Sequence, residues 1–163
     1  MAASTGLLAR QGAELAVEEI NAAGGVLGRP LELAFEDSLG SPEEAVKALR
    51  TYDSEGVDLT WGYTTSSSCL AASPIAEELD MLMLSIYCQT NKMNHEEFSE
   101  NFFRMTTNVE SMIRSLSKAI QQEEPGAVDW VSISPDYEYG HNTVDVFNNE
   151  MGSAVADYQM LDL

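Results

Sequence analysis

Apolar and polar positions along the chain follow a helical period in some segments and a strand period in others. The first helical segment is residues 7–21, and its apolar stripe consists of Ala13, Ala16, Val17 and Ile20. Gly24-Gly25 ends this helix, since glycine accepts the left-handed conformation found at helix ends. Residues 31–35 then alternate apolar and polar side chains, which predicts a strand.

Helical and strand patterns continue to follow each other to the end of the chain. They predict further helices at residues 66–79, 108–122 and 140–151, and one that opens with Ser41-Pro42-Glu43-Glu44. They predict further strands at residues 57–61, 81–86, 127–133 and 155–160. The run at 81–86 is apolar throughout, which is typical of a strand buried on both faces.

Strands separated by helices predict an α/β fold, a parallel, Rossmann-like sheet with helices on both faces. Such folds usually open with a strand, whereas this chain opens with a helix. Residues 1–6 are too polar to form a buried strand. We therefore expect that the first strand of the sheet is missing from this chain.

Charge narrows the possible partners. Of the 163 residues, 27 are Asp or Glu and 8 are Lys or Arg, so the net charge is −19. A surface this acidic repels phosphate backbones and anionic lipids, which argues against nucleic acids and membrane surfaces as partners. Two explanations of the charge stay open. It favours solubility, or it suits a salt-rich source in which ions screen the self-repulsion.

The two cysteines, Cys69 and Cys88, are too few for a disulfide scaffold and lack the spacing of a zinc site. Both follow the ends of predicted neighbouring strands, so they are expected to lie near each other. They could form a disulfide in an oxidising compartment, or remain two buried thiols that act as small apolar groups. We favour the thiols.

No catalytic pattern emerges from the sequence. The histidines are His95, in a charged run that suggests a solvated helix start, and His141, at the start of a helix. Ser66–Ser68 lack the glycines of a nucleophile elbow, and no phosphate-binding loop is present. We predict a protein that is not an enzyme, with neither cofactor nor metal.

One segment carries a family resemblance. Residues 12–30 read GAELAVEEINAAGGVLGRP. They resemble the first helix and turn of type I periplasmic binding proteins, in the leucine/isoleucine/valine-binding branch of ABC-transporter receptors. Other matches follow in family order, namely Asp37, the serines 66–68, the segments 82–85 and 103–106, and Tyr139-Gly140.

The resemblance implies a two-lobed clamp of about twice this length, which closes on a ligand and passes it to a membrane permease. Residues 1–124 would then be most of lobe one, and residues 125–163 the beginning of lobe two. The family also implies a periplasmic or extracellular location. Residues 1–5 lack the features of a signal peptide, so we expect that any signal preceded Met1. An incomplete sheet could also pair with another copy of the chain.

The candidate ligand site lies where strands end. The serines 66–68 stand at a helix N-terminus, whose free N–H groups and dipole favour a carboxylate, although serines also cap helices routinely. The resemblance favours Ser67 and Ser68 as contacts. It adds the loop at 86–91, and aligns Tyr139 with a cleft tyrosine. The predicted ligand contacts are therefore Ser67, Ser68, Cys88, Gln89, Thr90 and Tyr139.

The expected ligand is an amino acid or another small carboxylate. Tyr87, Cys88 and Gln89 are bulkier than the family pattern at this loop, so small amides and aromatic acids stay open as ligands. A ligand-sensing domain of a signalling receptor is the alternative function. Trp61 is expected to be a core residue near the same crevice.

Overall fold

A computed structural model describes residues 2–152 and 155–161. Its α-helices are α1 (Ala2–Ala22), α2 (Pro42–Ser54), α3 (Ser66–Glu78), α4 (Val109–Glu123) and α5 (Glu138–Met151), and a 3₁₀ helix spans Asn91–Asn94. Its strands are β1 (Leu59–Gly62), β2 (Leu82–Ser85), β3 (Phe102–Arg104), β4 (Val131–Pro135) and β5 (Asp157–Leu161). From β1 onward strands and helices alternate, which confirms the predicted α/β class.

The described strands form two parallel sheets. In the first sheet the order is β1-β2-β3, with Met83 beside Thr60 on one side and Phe102 on the other. In the second sheet β4 pairs with β5, and Val131 lies beside Asp157. Parallel pairing requires a crossover connection, which the predicted helices α3 and α5 provide between β1 and β2 and between β4 and β5. Strand β3 was not predicted, and a short 3₁₀ helix lies in its connection to β2.

The hydrophobic core lies between the first sheet and the helix pair α2 and α3, which pack against each other. Helix α2 begins as predicted, because the Ser41 hydroxyl accepts a hydrogen bond from Glu44 N at 3.4 Å and Pro42 takes the first helical position. The buried residues of the core are Leu49, Cys69, Ala72, Ala76, Met81, Met83, Cys88 and Met93.

The first sheet is covered on one face only within the described residues. Met83 is fully buried, but Leu82 in the same strand is 36% exposed and Phe103 in β3 is 54% exposed. Successive side chains of a strand point to opposite faces, and α2 and α3 cover the Met83 face. The prediction that 81–86 is buried on both faces is therefore wrong. Trp61, predicted to be core, is half-buried and contacts the Phe35 ring edge-on.

The predicted strand at residues 31–35 is absent. This segment has no backbone ladder to any described strand, and a strand needs such a partner. The Asn21 side chain instead bonds both the N–H and the carbonyl of Leu31, at 2.7 and 2.9 Å. The segment also touches α1, because the Arg10 guanidinium lies over the Phe35 ring at 4.6 Å.

Helix α1 leaves half of its predicted apolar stripe exposed to solvent. Ala13 and Val17 are half-buried, whereas Ala16 and Ile20 are exposed. The glycine pair follows its end as predicted. Gly25 has φ +74°, and a Cβ there would collide with the Arg29 carbonyl, so only glycine fits this turn.

The second sheet and its helix differ from the prediction in their bounds. Strand β4 begins at Val131 rather than at residue 127, and α5 begins at Glu138, so His141 lies in its first turn. Gly140 packs directly on the Pro135 carbonyl, which leaves no room for a side chain. Helix α4 is capped by Asn108 and packs against α5, which also packs on β4.

Cys69 and Cys88 form a disulfide, with their Cα atoms 6.1 Å apart. Both are buried in the core. The favoured prediction of two thiols is therefore wrong, since the end of β2 and the first turn of α3 bring the two residues within the range that a disulfide spans. His95 follows the 3₁₀ helix rather than starting a helix. No helix in the described parts of the chain has the length and apolar character needed to cross a membrane.

Replacing Leu49 by alanine tests the position of the core. Leu49 belongs to α2 and is fully buried against the rest of the core. Leu49→Ala should therefore lower the free energy of unfolding by about 2–5 kcal/mol. Leu8→Ala is the matched control, because Leu8 is 69% exposed in α1 and should change stability by less than about 0.5 kcal/mol. Urea unfolding measures both, and equal effects would contradict this core.

Salt should stabilise the fold. The ion pairs are mostly half-exposed, as in Arg50–Glu78, and contribute little, so the self-repulsion of a net charge of −19 should dominate. Raising NaCl from about 0.1 M to about 1 M shortens the screening length from roughly 10 to 3 Å. We expect a higher melting temperature, with the same rise in KCl. A melting temperature that falls with both salts would contradict the dominance of self-repulsion.

Candidate functional site

The N-terminus of α3 is organised by a threonine rather than by the serines. Thr65 is the N-cap, and its Oγ1 accepts a hydrogen bond from Ser68 N at 3.3 Å. The same hydroxyl donates to Ser68 Oγ at 2.8 Å, and Ser68 is buried. The alternative role of the serines as the N-cap is therefore wrong, and the Ser68 hydroxyl, a predicted ligand contact, is engaged inside the fold.

Ser67 keeps its polar groups free. Its hydroxyl makes no hydrogen bond to any residue that the structure describes, and its side chain is half-buried. The backbone N–H groups of Ser66 and Ser67 likewise find no acceptor in the described ranges, since the first residues of a helix have no partner within it. The positive end of α3 thus offers three unpaired donors at one place.

The loop after β2 lies beside this helix end. The Ser66 hydroxyl accepts a hydrogen bond from Thr90 N at 3.3 Å, and the Ser85 hydroxyl accepts one from Cys88 N at 3.0 Å. These bonds bring the two segments that the sequence predicted into contact. They also place Gln89 between two fixed neighbours.

Arg104, at the end of β3, holds the same loop from its other side. Its guanidinium donates to the carbonyl oxygens of Cys88 and Thr90, both at 3.0 Å, and also to the Asn94 side chain. Burial lowers the pKa of Arg104. The side chain forms no ion pair with a carboxylate among the described residues, so its positive charge remains uncompensated beside the loop.

Three ligand contacts were predicted in the loop, and only Gln89 has a side chain that is both accessible and unpaired among the described residues. Cys88 is in the disulfide, and Thr90 is fully buried and donates its hydroxyl to Glu138 Oε1 at 2.8 Å. Gln89 is half-buried, and its side-chain amide has no partner within the described residues. Its backbone carbonyl accepts from Val109 N at 2.9 Å, which anchors the main chain at this residue.

Tyr139 lies on α5, the helix that follows β4. It lies in the first turn of that helix, is half-buried, and stacks on Tyr137 with ring centroids 6.1 Å apart. Burial is the main cause that raises the pKa of Tyr137. The neighbouring Glu138 contacts the loop directly, so the start of α5 is joined to the segment that carries Gln89.

Glu138, Lys92 and Arg104 were missed by the sequence analysis. Glu138 accepts from Lys92 Nζ at 2.8 Å, and this bond is the main cause that raises the pKa of Lys92. The available signal was the rarity of cations in this chain, since 8 of 163 residues are Lys or Arg. Two of these few lie beside one short loop.

Two small cavities lie elsewhere. One of about 130 Å³ is lined by Glu36, Asp37, Glu44, Lys47, Ala48 and Thr51. The other, of about 140 Å³, is lined by His141, Val144, Asp145, Asn148 and Met160. Neither cavity is lined by a residue that was predicted to contact the ligand. In the described residues no three His, Cys, Asp or Glu side chains are grouped to hold a metal ion.

Comparison with known proteins gives a family and a fold. A family model described as periplasmic binding protein matches residues 1–156. The leucine-, isoleucine-, valine-, threonine- and alanine-binding protein of Pseudomonas aeruginosa is 37% identical over 83 residues, 51% of this chain and 22% of that protein. The Leu/Ile/Val-binding protein of Escherichia coli is 36% identical over 74 residues, 45% of this chain and 20% of that protein.

Solved structures share the fold at lower identity. A solute-binding protein of an ABC transporter from Rhodopseudomonas palustris, in complex with 3,4-dihydroxybenzoic acid, matches with TM-score 0.85 and 16% identity over 99% of this chain and 44% of that one. A branched-chain amino acid transporter substrate-binding protein from Streptococcus pneumoniae, in complex with isoleucine, matches with TM-score 0.81 and 21% identity over 94% of this chain and 44% of that one. The chain thus spans less than half of these structures.

The tyrosine that precedes α3 should make stability fall at alkaline pH. Tyr63 is half-buried and packs against the core, and burial raises its pKa to about 12 although its hydroxyl bonds Thr60 at 2.9 Å. Above pH ~10 the unfolded chain loses this proton while the folded chain keeps it. The contribution of Tyr63 is therefore complete below pH 10 and is lost between pH 10 and about 12.

Chemical unfolding between pH 8 and pH 12 measures this effect. Tyr63→Phe should flatten the alkaline slope, whereas Tyr87→Phe should leave it unchanged, because Tyr87 is 49% exposed. Parallel slopes for the wild type and Tyr63→Phe would contradict the buried position of the hydroxyl.

Proposed function

The chain belongs to the periplasmic binding protein family, and from that premise we propose that it captures a small carboxylate, foremost an amino acid, by non-covalent contacts. The observation that carries this proposal is the set of unpaired donors at the start of α3, beside the half-buried Gln89. Donors at a helix N-terminus suit a carboxylate because the helix dipole favours negative charge there. We propose Ser67 and Gln89 as the principal contacts on this side.

Local charge supports an anionic ligand. The protein as a whole carries −19, which repels anions at long range. Arg104, however, lies within hydrogen-bond distance of the loop at Cys88 and Thr90 and has no carboxylate partner in the part of the chain described. A half-buried cation acts strongly over a few ångströms, where screening by solvent is weak. It therefore favours a carboxylate bound between the loop and α3.

The remaining predicted contacts fit supporting roles. Ser68, Cys88 and Thr90 are buried and engaged inside the fold, so we propose that they shape the site, with backbone groups rather than side chains facing the ligand. Tyr139 would approach the ligand from α5, where its ring offers apolar contact and its hydroxyl a hydrogen bond. This division of roles follows from which groups the fold leaves unpaired.

We propose that the two lobes meet near this site. The division at residues 1–124 and 125–163 remains our proposal, with one adjustment that the packing favours. Helix α4 packs against α5 rather than against the first sheet, so its place is with the second unit. The boundary then falls in the segment 105–108, directly after Arg104.

For the longer protein to which such a unit would belong, we propose delivery of the ligand to an ABC permease in the periplasm or at the cell exterior. Relatives named as amino-acid-binding proteins and solved transporter receptors support this role. We propose binding without catalysis, since the only His–carboxylate pair among the described residues, His141–Asp136 at 2.9 Å, bonds no serine hydroxyl. Self-association through an unpaired strand edge remains part of the proposal.

Aromatic carboxylates are a second candidate ligand class. The stacked pair Tyr137 and Tyr139 offers flat apolar surface at the start of α5. Two solved relatives were captured with 3,4-dihydroxybenzoic acid and with benzoate. Both candidate classes share the carboxylate, so the contacts at α3 are the same for either.

Pairs of carboxylates and their amides test this proposal. Isothermal titration and thermal shift would compare leucine with leucinamide, and benzoate with benzamide. We expect one carboxylate to raise the melting temperature and its amide to have no effect, because a ligand bound only by the folded state stabilises it. Amide binding equal to that of the acid would contradict the carboxylate site.

A serine substitution tests the position of the site. Ser67→Ala should weaken carboxylate binding about tenfold, as expected for one hydrogen bond to a charged group. Ser111→Ala is the matched control, since Ser111 lies in the first turn of α4 and is exposed. If the two variants bind the carboxylate equally well, the ligand does not lie at α3.

A further inference from the structure

The disulfide joins the two segments of the proposed site. Cys69 lies in the first turns of α3, two residues after Ser67, and Cys88 directly precedes Gln89. The bridge therefore connects the free donors of the helix to the polar loop by a covalent path of a few residues. Both sulfurs are in the core, with the cysteines at most 1% exposed.

The other hydrogen bonds of the loop hold it to the first sheet, to α4 and to α5. Gln89 O accepts from Val109 N of α4, and Thr90 Oγ1 donates to Glu138 of α5. Ser85 lies at the end of β2 and Arg104 at the end of β3, and these two side chains bond the backbone of Cys88 and Thr90. Between the loop and α3 there is one hydrogen bond, from Thr90 N to Ser66 Oγ, besides the disulfide. At 3.3 Å this bond is long for a hydroxyl acceptor.

We propose that the Cys69–Cys88 disulfide is a positioning element of the ligand site, so that affinity for the carboxylate depends on the redox state of this pair. The inference rests on the proposed function, because it concerns the same site. A ligand that contacts both segments binds only when they are at the right separation. If the separation fluctuates, the protein is in this binding-competent arrangement for a smaller fraction of the time, and the apparent affinity falls. The bridge restricts that separation.

Reduction would change the site without removing a ligand contact. A dithiol such as dithiothreitol supplies two electrons and two protons, the S–S bond breaks, two cysteine thiols form, and the dithiol becomes a cyclic disulfide. The thiols fit the apolar core, whose other members include Leu49, Met83 and Met93. The loop stays bonded to Arg104, and the bond to Ser66 is then its one direct hydrogen bond to α3.

Titration of oxidised and reduced protein tests the proposal. The probe is leucine or 3,4-dihydroxybenzoate, whichever raises the melting temperature of the oxidised chain, at a temperature well below unfolding. We expect affinity to fall about tenfold after dithiothreitol. The variant Cys69→Ala/Cys88→Ala should bind as weakly as the reduced chain and should not respond to dithiothreitol. Equal affinity in the oxidised, reduced and variant forms would overturn the proposal.

Two further measurements separate positioning from stability and from the proposed function. Leu49→Ala destabilises the core at a residue that is not a proposed ligand contact and leaves the bridge intact, so its affinity should match the wild type. An equal loss of affinity in this variant would mean that the bridge acts only through stability, which overturns the proposal. Amide exchange gives a readout that needs no ligand. Reduction should speed exchange at Thr90 N–H and spare Met83 N–H, which bonds the Asn101 carbonyl at 2.8 Å.

Amide exchange still tests the positioning role if the oxidised chain binds neither leucine nor 3,4-dihydroxybenzoate. In that case the proposed function fails, and exchange alone decides the positioning role. Faster exchange at Thr90 with an unchanged Met83 amide supports it, and unchanged exchange at both amides overturns it.

Discussion

A buried loop must satisfy its own backbone polar groups, and this constraint shapes the centre of the molecule. The loop after β2 contacts the N-terminus of α3, and its residue Thr90 is fully buried there. Its N–H and carbonyl groups are bonded by Ser66, Ser85 and Arg104, which come from three different elements. Each unpaired group would cost about 1–3 kcal/mol in such surroundings. The positions of α3, β2 and β3 are therefore coupled through this one loop.

The candidate site consists of the groups that this arrangement leaves unpaired. Thr65 satisfies the third N–H of α3, so the Ser67 hydroxyl and two backbone donors remain available. Ser68 and Thr90 have the same chemistry but are already bonded inside the fold. Whether a side chain is available to a ligand therefore depends less on its residue type than on whether its hydrogen-bonding groups already have partners inside the fold.

Two of the eight cations of this acidic chain lie beside the loop. Arg104 bonds its carbonyls and Lys92 bonds Glu138, which in turn accepts from Thr90. The first interaction ties the loop to β3, and the second connects it to α5. Lys92 is surrounded by carboxylates, since Glu138 first, and then Glu96 and Glu97, raise its pKa. Arg104 has no carboxylate partner among the described residues, and a carboxylate bound nearby would interact with it at short range, where screening by solvent is weak.

The sequence by itself determined the α/β class, the order of most elements and the caps at Ser41 and after Ala22, because periodicity and turn chemistry act over a few residues. It also brought together the serines of α3 and the loop after β2, since parallel strands end at one edge. Only the tertiary structure decided that residues 31–35 form no strand, that one face of the first sheet is open, and that Cys69 and Cys88 are bonded. Each of these depends on partners distant in sequence, and so does the role of Arg104, whose acceptors lie 14 and 16 residues away.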